Sequence, residues 1–404
     1  MSGFRSSNSV ARAVGGDAVV GAVVRSGAFR GSDLSPLSGA ALSRGAMDGW
    51  LLGATVLLLS VSLLMVFSTT AVISQEIYGD SSRMMRSHVV HVLSALGVFF
   101  ICSRVDSERF YRWAPLLFFG SLFLLGLTLI PGIGHVAGGA RRWLVIGPLR
   151  LQPGEVAKLT SLIYFASYIA RHRGEMLRFR PGVVVPGVLL SVTAALLLAE
   201  PDFGTTVVIL LVVFCQLLMV TRLAHLALIG GFAAVAVCAL VIMSPYRFKR
   251  FTAFMDPFGD PSASGYQLIQ SLIAVGSGGL LGEGLGAGKQ KLFYLPAAHT
   301  DFIFAVIAEE LGIFGASAVL ALFLLILVRG FKIAARLAED PFLSSLAIGC
   351  TCLIVVPALL NMGVVLGLLP TKGMVLPLVA YGGTAMIIHA AAMGILMRLS
   401  RLEL

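Results

Sequence analysis

Long apolar runs with few charges recur along the chain, separated by short polar clusters. They fall at roughly 49–73, 87–103, 114–131, 151–170, 183–199, 203–221, 226–244, 302–328, 343–366 and 379–397. Each comes near the ~20 residues a helix needs to cross a bilayer, with the second and fifth on the short side. Runs this long, without strand-like alternation, predict helices rather than the strands of an outer-membrane barrel. The pattern therefore predicts an all-α integral membrane protein with about ten transmembrane helices. Ten crossings place both ends of the 49–404 domain on one side. Two stretches stand apart: residues 1–48, rich in Ser, Gly, Ala and Arg and expected to be a flexible tail, and the long segment of about 245–300 between spans seven and eight.

Composition agrees with this pattern. Hydrophobic residues make up 57% of the 404 and charged residues only 12%, with a mean hydropathy of +0.93. A soluble domain carries roughly 25% charge, so a soluble enzyme is excluded. Charge then sets orientation. Eighteen Lys and Arg fall in the tail and in the loops on its side, against eleven on the other side, and Lys158 alone lies within a span. The richer side is predicted to be cytoplasmic, with both termini inside. Eleven is still many for outer loops, and nine of them fall in 132–150, 245–300 and 367–378. A cationic outer face suits an anionic substrate such as a lipid-linked pyrophosphate. Contact with anionic lipid headgroups is the plainer alternative.

Several familiar chemistries find no support. The Gly276–Gln290 stretch, GSGGLLGEGLGAGKQ, fails the phosphate-loop pattern, because Glu283 stands at the first required glycine and Gln290 at the Ser/Thr. Its glycines predict tight turns in a re-entrant or interfacial loop, and nucleic acid is not an expected partner. His88 and His91 share a helix face but lack an acidic third ligand, so interfacial histidines are expected there. No zinc-protease or serine-hydrolase motif occurs. The five cysteines all lie in apolar runs, as small core side chains do.

Charges inside or at the edge of the apolar runs point to chemistry instead. EPDFGT (Glu200–Thr205) turns between spans five and six at the outer edge, either as a polar hairpin cap or as a cavity lining. Gln152, Glu155 and Lys158 follow at intervals of three and share one stripe of span four, where Glu155 and Lys158 are expected to pair. Asp301 lies at the outer mouth of span eight, where a carboxylate can cap free amides. Glu309 lies about 12 Å deeper and roughly 80° round from it, and Glu310 points nearly opposite. The two glutamates are expected to bind other elements rather than act with Asp301.

Five stretches, HTDFIFAVIAEELG, EPDFGTT, GARRWL…LQPGEVAKL, DPSASGYQLIQS and LLPTKGMVLPLVAYGGT, together resemble the SEDS family of peptidoglycan polymerases, in the same order from about Trp50 to Leu399. LPTKG (Leu369–Gly373) resembles the division branch, while PLVAYGGT departs mildly from the family's usual PFISYGGS. The resemblance implies a glycosyltransferase that extends β-1,4 glycan from lipid II, the undecaprenyl-pyrophosphate-linked muropeptide, on the outer face of the cytoplasmic membrane at the septum. It implies a class B penicillin-binding transpeptidase and other divisome proteins as partners. The family's essential acid matches Asp301, its cavity lysine Lys158 and its outer-loop arginine Arg142. Gln152, Glu155, His299, Thr300 and Lys372 complete the expected substrate-binding set. No obligate cofactor is implied, and Mg or Mn is the cation to test. A lipid II flippase and a non-catalytic divisome scaffold are the competing classes. A flippase needs polar groups through the full membrane depth, and a scaffold needs neither Asp301 nor Lys158.

Overall fold

The computed structural model describes residues 43–137, 140–147, 149–259 and 265–403. The expected tail over 1–48 lies outside them except for its last six residues. Ser43–Arg44 (β1) pairs antiparallel with Leu402–Glu403 at the far end of the chain. Asp48 then caps the first helix, accepting from the amides of Trp50 (3.0 Å) and Leu51 (3.2 Å). Its second oxygen holds Arg329 at 2.5 Å.

Every expected span coincides with a helix. These are α1 (Gly49–Tyr78), α2 (Arg83–Cys102), α3 (Ser107–Leu129), α4 (Pro153–Arg171), α5 (Val185–Ala199, entered through a π-turn at Arg180–Val184), α6 (Phe203–Leu218) and α7 (Leu223–Ile242). After two shorter helices, α8 (Pro245–Met255) and α9 (Tyr266–Ser277), come α10 (Ile303–Arg336), α11 (Pro341–Val365) and α12 (Gly383–Ser400). Among the described residues, seven of the ten are long and apolar enough to cross a membrane by length and composition alone. The others are α6, which has only 16 residues, α7, and α4, which carries Glu155, Lys158 and Arg171. Helices suit this setting because they satisfy every backbone polar group internally.

α11 and α12 form the centre, buried along most of their length. Close approach there depends on small residues. A Cβ on Gly394 of α12 would lie 2.4 Å from the Phe99 carbonyl of α2, and one on Gly330 of α10 would lie 2.0 Å from the Thr351 hydroxyl of α11. The outer helices expose large apolar side chains such as Leu57, Leu64 and Phe67 on α1 and Leu116 and Phe123 on α3. A band of this kind is stable facing lipid and would aggregate in water.

The structure departs from the sequence pattern in three places. The loop before α4 folds into a small antiparallel sheet, β2 (Gly134–Ala137), β3 (Ala140–Ile146) and β4 (Leu149–Leu151), which carries Arg142. The 245–300 segment contains α8 and α9 rather than loop alone. Finally, α10 is not one continuous span. Gly312 breaks it with φ 66° and ψ −168°, a conformation essentially restricted to glycine. The 279–284 segment knits into the break. Glu283 and Gly284 donate to the carbonyls of Glu309 and Glu310 (3.0 and 3.1 Å), while Ile313 donates to the Gly279 carbonyl (3.0 Å). Gly279, Gly282, Gly284 and Gly286 all take positive φ, so the glycine-rich stretch does form tight turns.

Candidate active site

Asp301 emerges from a series of tight turns just before α10. The amides of Asp301 and Phe302 both donate to the Ala297 carbonyl, at 3.1 and 3.3 Å. The carboxylate caps nothing: Phe302 holds the N-cap position and no side chain bonds to the helix start. Two tethers fix this turn from α11 and the loop before α12. Asn361 Nδ2 donates to the carbonyls of Asp301 (2.7 Å) and Met374 (2.6 Å), and the Tyr381 amide donates to the His299 carbonyl (3.0 Å).

The 369–374 segment lies against the carboxylate. A Cβ on Gly373 would stand 2.7 Å from Asp301 Oδ2, so the missing side chain makes room for the acid. The neighbouring Lys372 lies over the Phe203 ring at 4.2 Å and donates to the Phe203 carbonyl at 3.0 Å. Arg142 reaches the same turn from β3, with Nε to the Glu200 carbonyl (3.1 Å) and NH2 to the Pro201 carbonyl (2.5 Å). Arg250 of α8 closes the other side, donating to the Thr371 carbonyl at 3.4 Å. Asp202 caps α6 through the Thr205 amide (3.1 Å) and accepts from Gln152 Nε2 at 3.4 Å.

Burial pushes the Asp301 carboxyl up to about 6, with Arg250 and then Arg142 opposing it. A carboxyl in that range exchanges its proton near neutral pH, as a general base must. Glu200 stands behind the arginine, fully buried, with the Thr128 hydroxyl donating to Oε1 and Oε2 unpartnered. Burial raises it to about 7; the Thr128 bond and Arg142 pull it down, and Asp202 pushes it up.

The structure therefore brings Asp301, Arg142 and Lys372 together, while Gln152 reaches Asp202 beside the Phe203 turn. Glu155 and Lys158 pair as expected, at 2.7 Å and both buried, about 4.5 and 9 Å further along the helix direction than Gln152. His299 and Thr300 turn elsewhere. The Thr300 hydroxyl bonds back to the Ala297 carbonyl (3.3 Å), and His299 packs on Tyr381 (5.8 Å between ring centres). His88 and His91 pack on the same tyrosine, and His88 is fully buried with Nε2 2.8 Å from the Ser62 hydroxyl. Arg250 and Asn361 belong to the site and were not singled out by sequence. A lone Asn within an apolar span was the available signal for Asn361. Among the described residues no group of three or more His, Cys, Asp or Glu could hold a metal ion. The charged groups acting on Asp301 are Arg250 and Arg142.

The chain as a whole is similar to known proteins. The family described as "Cell cycle protein", which groups FtsW, RodA and SpoVE, matches residues 49–403. The chain belongs to the FtsW/RodA/SpoVE family. Its relatives include the probable peptidoglycan glycosyltransferases FtsW of Alkalilimnicola ehrlichii, 42% identical over 86% of this chain and 88% of that one, and of Thioalkalivibrio sulfidiphilus, 44% identical over 85% and 87%. Among solved structures, one describing the structural coordination of polymerization and crosslinking by a peptidoglycan synthase complex superposes with a TM-score of 0.71. It is 30% identical and covers 88% of this chain and 98% of that one. The rod shape determining protein RodA of Thermus thermophilus gives a TM-score of 0.64 at 27% identity, covering 88% and 97%. This FtsW/RodA/SpoVE chain thus carries its whole candidate site inside the matched region.

Proposed function

We propose that the chain is a peptidoglycan glycosyltransferase that polymerises lipid II on the outer face of the cytoplasmic membrane, for septal synthesis. The observation carrying this reading is the single carboxyl of Asp301, tuned to about 6 and set among Arg142, Arg250 and Lys372. Growing a β-1,4 glycan from an α-linked pyrophosphate requires inversion, so the acceptor hydroxyl attacks in line. A sugar hydroxyl is a poor nucleophile at neutral pH, and a positioned carboxylate that takes its proton contributes typically 10²–10⁴ in rate. The leaving pyrophosphate needs no acid where cations neutralise its charge. Arg142, Arg250 and Lys372 are disposed for that role, and Lys158 lies deeper for the lipid-proximal end of the donor. A class B transpeptidase and other divisome proteins are the partners this reading expects, and the likeness to a chain of a peptidoglycan synthase complex supports the first.

The test is polymerisation of labelled lipid II by the purified protein and by Asp301→Asn. The variant keeps the size of the side chain and, since Asp301 caps no helix, loses no backbone bond. It is expected to fold and to lose polymerisation by roughly 10²-fold or more. The wild type should lose kcat/KM as pH falls through about 6, because the base is active only when deprotonated. Near-normal polymer from Asp301→Asn would remove the assignment. Lipid II translocation measured in the same vesicles separates polymerisation from flipping.

A further inference from the structure

We infer that the buried Lys291–Glu310 ion pair, with Ser68, positions Asp301 for the reaction by locking the segment that leads to it against α1 and the break in α10. The inference rests on the function proposed above and assigns a role to groups that function does not use. Lys291 counts by sequence among the outer cations available to an anionic substrate. In the structure all its donors are taken: Nζ bonds Glu310 Oε1 (2.6 Å), Ser68 Oγ (2.7 Å) and the Gly286 carbonyl (2.8 Å). Glu310 is equally committed, accepting from the Ser68 hydroxyl (2.6 Å) and the Gly286 amide (2.9 Å). Both side chains are buried. Buried ion pairs contribute little net stability, and their best-attested use is to fix one register among alternatives.

The segment between Lys291 and Asp301 needs such fixing. Phe293 and Ala297 both hold positive φ, 68° and 56°, without being glycine. Strained conformations of this kind persist only where the surroundings over-determine them. The Asp301 end is held by Asn361, while the other end is held by the ion pair and by the Lys289 and Gln290 amides on Glu309 Oε1 (2.7 and 3.1 Å). Released at the Lys291 end, the turns can relax and carry the carboxyl away from Gly373 and the arginines.

The test compares wild type with Lys291→Met/Glu310→Gln in the purified full chain. The double change removes both charges of the pair together, whereas either single change leaves one of them buried without its partner. Two readouts are taken: kcat and KM for labelled lipid II, and amide hydrogen exchange across 279–300. The expected result is faster exchange in that segment, a kcat lowered roughly 10- to 100-fold, and a KM within about threefold, as a misplaced base produces. Wild-type exchange overturns the inference whatever kcat does, and so does faster exchange with wild-type kcat. If wild-type protein makes no polymer, the function proposed above fails, and the exchange arm still decides whether the pair holds the segment.

Discussion

The carboxyl of Asp301 owes its position to one missing atom on the facing chain. A Cβ on Gly373 would come within 2.7 Å of Oδ2, and the carboxyl is the only part of that contact free to swing aside. Gly373→Ala should therefore keep the fold and lower kcat roughly 10- to 100-fold, since a displacement near 1 Å suffices for such a loss. Unchanged kinetics, with melting behaviour like the wild type, would show that the carboxyl position is not critical. Sequence made Asp301 legible because an acid at the mouth of an apolar run is unusual, and it made the Glu155–Lys158 pair legible because their spacing puts both on one helical stripe. Gly373 and Asn361 were not legible in the same way. Their roles depend on which loop lies opposite, and spacing along the chain does not say that. His299 and Thr300 show how little adjacency in sequence says about contacts, since a tight turn sends them to Tyr381 and back to Ala297.

At the scale of elements, hydropathy located all ten of these helices but not the interruption of α10, because Leu311, Gly312 and Ile313 read as an unbroken apolar run. The break is written instead in tertiary contacts. A Cβ on Gly312 would meet the Gly282 amide nitrogen at 2.4 Å and the Leu280 carbonyl oxygen at 2.5 Å, both backbone atoms that cannot rotate away. The φ/ψ of Gly312 adds its own penalty for any other residue, on the order of 1–3 kcal/mol. Gly312→Ala is accordingly expected to destabilise the protein by more than that range and to expel the 279–284 segment. Limited proteolysis should then cut within 279–290 in the variant and spare it in the wild type. Resistance equal to wild type would mean that the helix can close through Gly312 without the loop. The clustered glycines between 276 and 288 were the sequence trace of this packing, but their partner was not readable. The small sheet before α4 escaped for a related reason: its strands are only three to seven residues long, and β3 interleaves Arg141 and Arg142 with apolar neighbours.

For the whole molecule, the structure gives a local reason for the many cations on the face that charge counting assigns to the outside. Arg142, Arg250 and Lys372 converge around Asp301, and Lys291 is consumed inside an ion pair, so these charges have local work that topology does not govern. The remaining excess on the tail side still argues that the termini face the cytoplasm. Two exposed positions outside the helical spans or at their edge test this directly: Ala287 in the glycine-rich loop and Glu108 in the first turn of α3. Neither touches the Asp301 cluster. In a background with the five native cysteines replaced by Ala or Ser, Ala287→Cys should react with a membrane-impermeant maleimide in intact spheroplasts. Glu108→Cys should react only after permeabilisation. The reverse pattern would put Asp301 and its arginines on the cytoplasmic side, where the acceptor glycan is absent, and polymerisation by this site would have to be abandoned.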